Sequence, residues 1–249
     1  MTIHTYGSDR RMAECARLLR AACPIETDIT RILLLPIPTT NNGSTVRGSD
    51  EPLTAVTEAA TADTLTVGYA LPPPFFETEG RVLDLSRDED FLVGNADLTA
   101  RGMLGILLTE GNLSSSDRIG IIGFGRIGKA MLRLLLPLGV RVRVYTGKEA
   151  TRLRLGTLGI STGESRTDGG VWNFSGITQL INTAPTDERI ESERPLCDLL
   201  VYDLASGGPH FAEHAGVRML PGLPGKLFAK EAGRLCFDAV MRTLSEAGT

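Results

Sequence analysis

The sequence predicts an α/β protein built as two doubly wound α/β domains, on three observations. Short apolar runs alternate with segments of helical spacing along the whole chain. One such run, "RIGIIG" (118–123), passes into the glycine-spaced turn "GFGRIG" and then into a helical apolar stripe. Between the two alternating halves lies "ADLTARGMLGILLTEG" (96–111), a proline-free stretch of helical spacing that reads as the link between domains.

The elements follow in order. "TIHTYG" (2–7) is a short strand closed by Gly7. Residues 9–22 place Met12, Cys15, Ala16, Leu18 and Leu19 at helical spacing, with Asp9 available as N-cap. "RILLLPIP" (31–38) is a buried strand stopped by Pro36 and Pro38. Residues 39–52 are a loop by their Asn, Gly and Ser content, and 51–60 a short helix with Pro52 near its first turn. "TLTVGYAL" (64–71) is a strand halted by three prolines, and "RVLDLS" (81–86) is another. Past the linking helix come strand 118–123, helix 126–138, strand "VRVRVYT" (140–146) and the helix-prone 149–159. Strands "TQLINT" (178–183) and "DLLVYDLA" (198–205) follow, with "VRML" (217–220) as an edge or final strand. Residues 226–247 form a long amphipathic segment interrupted only by Gly233, a helix expected to pack back across a domain junction. The expected domains are 1–96 with 234–249, and 97–233.

Composition bounds the function. The 249 residues suffice for a substantial core, and 42% hydrophobic with 22% charged residues is ordinary for a globular protein. A formal charge of −4 argues against nucleic-acid and anionic-membrane partners, which want a basic face. "MTIHTYGSDRRM" lacks an apolar signal core and no apolar run is expected to span a bilayer, so the expected location is cytoplasmic. Cys15, Cys23, Cys197 and Cys236 lack CxxC spacing and read as reduced packing groups. His4, His210 and His214 do not combine with them into a metal pattern, and no metal is expected.

The turn carries the most specific chemistry. Gly123 permits a tight bend, Gly125 lets backbone approach a pyrophosphate, and Gly128 lets helix and strand pack closely. Phe124, Arg126 and Ile127 complete it, and the following helix points its free N–H groups at the phosphates. With a strand before and a helix and second strand after, the motif reads as a Rossmann dinucleotide-binding unit. An NAD site places Asp or Glu about 20 residues past the glycines. Here the strand ends in Tyr145, Thr146, Gly147 and Lys148, with Arg152 and Arg154 beyond, and Glu149 lies too far on. A hydroxyl followed by cations suits a 2′-phosphate, so NADP is expected ahead of NAD; the alternative is that these cations are solvated helix charges. Three loops at later strand ends, "INTAP" (181–185), "DLASGGP" (203–209) and "LPGLPGK" (220–226), are candidates for the nicotinamide and substrate.

"GFGRIGKA", "INTAP", "DLAS" and above all "PGLPG" followed by "KEAG" resemble the A-type component of dipicolinate synthase, a family related to the 2-hydroxyacid dehydrogenases. "YGSDRRMAECARLL", "ILLLPIPTTNNG" and "NADLTARGMLGILL" are similar to its leading domain and linking helix, so the resemblance covers nearly the whole chain. It implies NADP-linked oxidation of dihydrodipicolinate to the spore diacid dipicolinate, on a branch of the lysine and diaminopimelate pathway. It also implies, as partner, a flavoprotein-like B subunit, and a homo-oligomer. Carried over by position, Asn182, Thr183 and Pro185 match the nicotinamide-side loop, and Asp203, Ala205 and Ser206 the next strand end. Pro221, Gly222, Pro224, Gly225 and Lys230 match the substrate-side loop, while Asp9, Arg10, Thr39 and Thr40 match positions facing the substrate. Arg10 and Lys230 are then the expected partners of the two carboxylates, with Lys226 in reserve. His210, or His214, is the expected proton acceptor, its alternative being an ordinary surface histidine.

The departures are specific. After "DLAS" the family continues with an Arg-Pro-Gly-Gly type segment, whereas this chain has "GGPHF" and lacks the arginine that clamps a carboxylate bidentately. Ala229 and Glu231 stand where the family prefers Pro and Thr. The segment between the first helix and strand 31–38 is too short for the family's second strand, so a reduced leading domain is expected. Two other functions remain open. One is a 2-hydroxyacid or imino-acid oxidoreductase, whose Arg, Glu and His set is not found in order. The other is a non-catalytic NADP-binding protein in a regulatory or partner role.

Overall fold

The alternation of apolar runs resolves into β1(Thr2–Thr5), α1(Arg10–Ala21), β2(Arg31–Leu34), α2(Leu53–Glu58), β3(Thr64–Gly68), β4(Arg81–Asp84), α3(Glu89–Thr109), β5(Arg118–Ile122), α4(Arg126–Leu135), β6(Arg141–Tyr145), α5(Glu149–Thr157), β7(Ser161–Gly163), β8(Gln179–Asn182), β9(Leu200–Asp203), β10(Val217–Met219), α6(Leu223–Leu227) and α7(Ala229–Ala247). The structure, a computed structural model, describes residues 1–22, 26–164, 171–186, 189–193, 195–212 and 216–247. It divides into one unit of Met1–Asn95 with Pro224–Thr249 and a second of Ala96–Leu223. The return to the first unit thus comes at Pro224 rather than at the expected 234.

In the first unit four parallel strands pair in the order β1-β2-β3-β4. Alternate residues of β2 face opposite sides. Ile32 and Leu34 enter a core with Met12, Cys15, Ala16 and Leu19 of α1 and Cys236, Ala239 and Val240 of α7. Leu33 and the following Leu35 enter another, with Leu53 and Val56 of α2 and with Phe75. The sheet order runs one way while α1 and α2 lie on opposite faces, so the β1–α1–β2 and β2–α2–β3 crossovers have opposite hands. No strand pairs with the outer edge of β1 among the described residues.

Helix α3 begins at Glu89, seven residues before the expected 96, and serves both units. Phe91 lies in the first unit's core, while Ala100, Met103 and Leu107 are fully buried in the second's. Contrary to the sequence expectation, α3 is long and apolar enough to cross a membrane by length and composition, with mean hydropathy 1.3. Of that apolar stretch 44% is buried, Ala100, Met103 and Leu107 in the second unit's core among it. The C-terminal segment also differs from expectation, dividing into α6 and α7 at Phe228.

The second unit holds six parallel strands in the order β10-β9-β8-β5-β6-β7. The order reverses between β5 and β8, the switch point beyond whose carboxyl ends open α/β sheets bind ligands. Leu132, Leu135 and Val144 pack on one face. On the other, Trp172 and Phe174 stack at 5.8 Å over Tyr145 and Leu180. Strand β7, absent from the sequence expectation, pairs with β6.

Candidate functional site

The glycine turn sits at the switch point, and its three glycines meet different demands. Gly123 has φ +88°, a left-handed backbone unfavourable to any side chain, and a Cβ there would lie 2.7 Å from that of Ala184. A Cβ on Gly128 would lie 2.3 Å from the Gly123 carbonyl oxygen, so helix and strand meet backbone to backbone. Gly125 is different. Its φ of −80° and ψ of −159° are open to any residue, and a Cβ on it would meet no protein atom within 4 Å. The fold does not need a glycine there, but a ligand approaching the backbone does. Gly125 is the N-cap of α4 and no side chain caps that helix, an arrangement suited to a pyrophosphate. Phe124 and Ile127 turn inward and pack against the core, while Arg126 is exposed.

At the next strand end Thr146 is buried, and its hydroxyl accepts from the Lys148 N–H at 3.3 Å. Lys148 is exposed as N-cap of α5. One turn on, Arg152 donates from Nη1 to the Thr146 carbonyl at 2.8 Å and from Nη2 to Glu164 Oε1 at 3.1 Å. Arg154 is exposed on the same helix. Glu164 is a residue that sequence reasoning missed, because the three-residue strand that delivers it, "STG", carries no apolar signal.

Beyond β8 and β9 the expected ligand contacts form a closed internal chain. Asn182 Nδ2 donates to Asp203 Oδ1 at 2.9 Å, and Asn182 Oδ1 accepts from the Ala184 N–H at 3.1 Å. Asp203 Oδ1 also accepts from the Ala205 N–H at 3.2 Å, and Oδ2 lies 2.9 Å from His210 Nδ1. Asn182 and Asp203 are fully buried and His210 is 3% exposed. Asn182 and Asp203 thus hydrogen-bond to each other and to neighbouring backbone, with the His210 imidazole enclosed beside them. The three hold the loops around them in place. A Cβ on Gly208 would come within 2.7 Å of His210 Nδ1, so the glycine at 208 accommodates the ring. Replacing Asp203 with alanine leaves Asn182 Nδ2 and the His210 ring without their acceptor, and is expected to lower stability by at least about 2 kcal/mol in urea denaturation. Thr183 ties β8 to the turn by donating to the Ile122 carbonyl at 2.9 Å. Pro185 and Ser206 are exposed, and His214 lies outside the described residues.

In the first unit Asp9 is likewise a structural hub. Its carboxylate accepts from the Arg11 N–H, Arg11 Nε and Nη2, the Ile37 N–H and Arg47 Nη2, at 2.7 to 3.0 Å. Burial alone would raise its pKa. The hydrogen bond and charge of Arg11, with the Ile37 N–H, outweigh burial and hold the carboxyl below its ordinary value. Thr39 is fully buried, its hydroxyl accepting from the Tyr69 N–H at 3.0 Å, and the Thr40 hydroxyl accepts from the Gly43 N–H at 2.9 Å. These three brace the loops in which they stand. Arg11 and Arg47 were not expected from the sequence; Arg47 comes from a remote loop that no local pattern links to Asp9.

The "PGLPG" and "KEAG" glycines are also partly structural. A Cβ on Gly225 would lie 3.1 Å from the Arg11 guanidinium, and one on Gly233 would lie 2.6 Å from the Glu14 Cβ. Both positions thus let the C-terminal helices close on α1. Gly222 is different, in an exposed turn at φ +70° with no atom near its missing Cβ. Lys230, one turn before Gly233, is exposed and its charge acts on Glu14 of α1. Arg10 and Lys226 are exposed, with no ion pair among the described residues.

No protein-family model matches the chain, and no curated protein matches it in sequence. Solved structures do. The dipicolinate synthase A component from Bacillus halodurans is similar at 21% identity, with 98% of this chain and 97% of that chain covered and a TM-score of 0.74. Its counterpart from Bacillus subtilis is similar at 19% identity, 98% and 96% coverage, and a TM-score of 0.75. This chain has the dipicolinate synthase A fold. An L-alanine dehydrogenase shares that fold more distantly, at 13% identity, 99% and 89% coverage and a TM-score of 0.55.

Proposed function

We propose that the chain is an NADP-linked oxidoreductase of the dipicolinate synthase A type. It oxidises a small ring dicarboxylate such as dihydrodipicolinate in the cytoplasm, together with a flavoprotein-like B subunit. The observation that carries the reading is Gly125: a glycine that no protein contact requires, capping a helix that no side chain caps. Gly123 and Gly128 hold the turn, Thr183 braces it, and Thr146, Lys148 and Arg152 form the end suited to a 2′-phosphate. The dinucleotide supplies a hydride acceptor when bound. The chain's own part is to hold the cofactor, orient the ring and neutralise its two carboxylates. Arg10, Lys226 and Lys230 are the exposed cations assigned to that neutralisation. Asn182, Asp203 and His210 act as positioning residues beneath the nicotinamide-side loops.

A second reading, a non-catalytic NADP-binding partner protein, is favoured by one observation. Asp9, Thr39 and Asp203, expected to serve a substrate, each hydrogen-bond to other parts of the chain. Following NADPH formation at 340 nm with dihydrodipicolinate, with and without the B subunit, separates the two. Turnover that falls at least about tenfold in Lys230→Ala supports the enzyme; NADP binding without turnover under either condition supports the non-catalytic partner.

A further inference from the structure

We infer that Glu164 sets the choice between the two nicotinamide dinucleotides, by competing with a 2′-phosphate for Arg152. The inference rests on the dinucleotide reading above and deepens it.

Two strand ends and helix α5 bring the groups together. The Thr146 N–H donates to the Gly163 carbonyl at 3.2 Å, which registers the end of β7 against that of β6. A Cβ on Gly163 would lie 2.6 Å from the Tyr145 ring, so only glycine lets β7 run this close, and Glu164 is the next residue out. Arg152 is held from beneath by the Thr146 carbonyl and is only 20% exposed, whereas Glu164 is 69% exposed. The guanidinium is therefore fixed and its carboxylate partner stands in water.

An ion pair with so exposed a partner is weak and readily exchanged. A 2′-phosphate carries more charge than a carboxylate and suits the planar donor edge of arginine. Beside it, Lys148 adds a second cation at the N-cap of α5. Bound NADP would take the Arg152 edge that Glu164 now occupies, and the displaced carboxylate would remain a nearby like charge that weakens binding. Bound NAD brings no phosphate, and its ribose hydroxyls can donate to Glu164. The same residue thus opposes one nucleotide and accepts the other. A carboxylate at the end of the third strand performs what the second-strand position, Thr146, cannot.

The test is fluorescence titration of NADPH and NADH into wild type, Glu164→Gln and Arg152→Ala. Glutamine keeps the shape of an exposed side chain and removes only its charge. Glu164→Gln is expected to tighten NADPH about five- to tenfold while NADH is unchanged or weaker, and Arg152→Ala to weaken NADPH about tenfold or more. If both nucleotides bind wild type and Glu164→Gln leaves their ratio unchanged, the inference is overturned while the dinucleotide reading stands. If wild type binds neither, both are overturned.

Discussion

Replacing Gly125 with valine is expected to weaken NADPH binding by about two orders of magnitude while costing about 1 kcal/mol of stability or less. The backbone at Gly125 is extended and its missing Cβ faces no protein atom, so the side chain enters without strain. It enters, however, where a phosphate must come within hydrogen-bond distance of the α4 N–H groups. Hydrogen bonds to a charged group are worth about 1.5–3 kcal/mol each, and loss of one or two accounts for the expected effect. Gly128→Ala makes a contrasting control, because its Cβ would strike the Gly123 carbonyl and must disturb the fold as well as the ligand. Calorimetric titration and urea denaturation of both variants separate a ligand-facing glycine from a packing one. Equal NADPH affinity in wild type and Gly125→Val would remove the main support for the phosphate site.

The largest expected loss of stability follows Asp9→Ala. Arg11 is buried beside it, with a side chain 8% exposed, and Arg47 is half-buried. Without the carboxylate two cations lose their counter-charge and the Ile37 N–H its acceptor. Breaking such a pair from one side costs about 3–5 kcal/mol. The pH dependence has a definite sign. The folded state holds Asp9 below its ordinary pKa, so its contribution is full above the unfolded value of about 4 and is lost as pH falls through the lower folded value. Wild type should therefore lose stability from about pH 4 downward, and Asp9→Asn should lose less over that range. Parallel acid titrations of wild type and Asp9→Asn would sink the assignment of Asp9 as this hub.

Much of this was legible in the sequence because the signals are local. Apolar periodicity located most strands and helices, and the spacing of Gly123, Gly125 and Gly128 located the turn. What escaped depends on long-range contact. Nothing near Asp9 announces Arg47, and a strand of Ser, Thr and Gly does not announce that Glu164 will reach Arg152. Burial is equally hard to read: nothing in "INTAP" or "DLAS" announces that Asn182 and Asp203 hydrogen-bond to each other and to neighbouring backbone. The glycines of "PGLPG" and "KEAG" teach the same point. Gly225 and Gly233 are accounted for by the closeness of α1, a contact with a helix at the other end of the chain.

The most direct test of the dinucleotide site is amide hydrogen exchange of the native protein with and without saturating NADPH, resolved over residues 120–135. Slowed exchange concentrated at the first turn of α4, with a smaller effect at 146–152, is the result expected of a pyrophosphate on that helix and a 2′-phosphate by Arg152. Unchanged exchange at α4, or protection confined to another part of the chain, would contradict it.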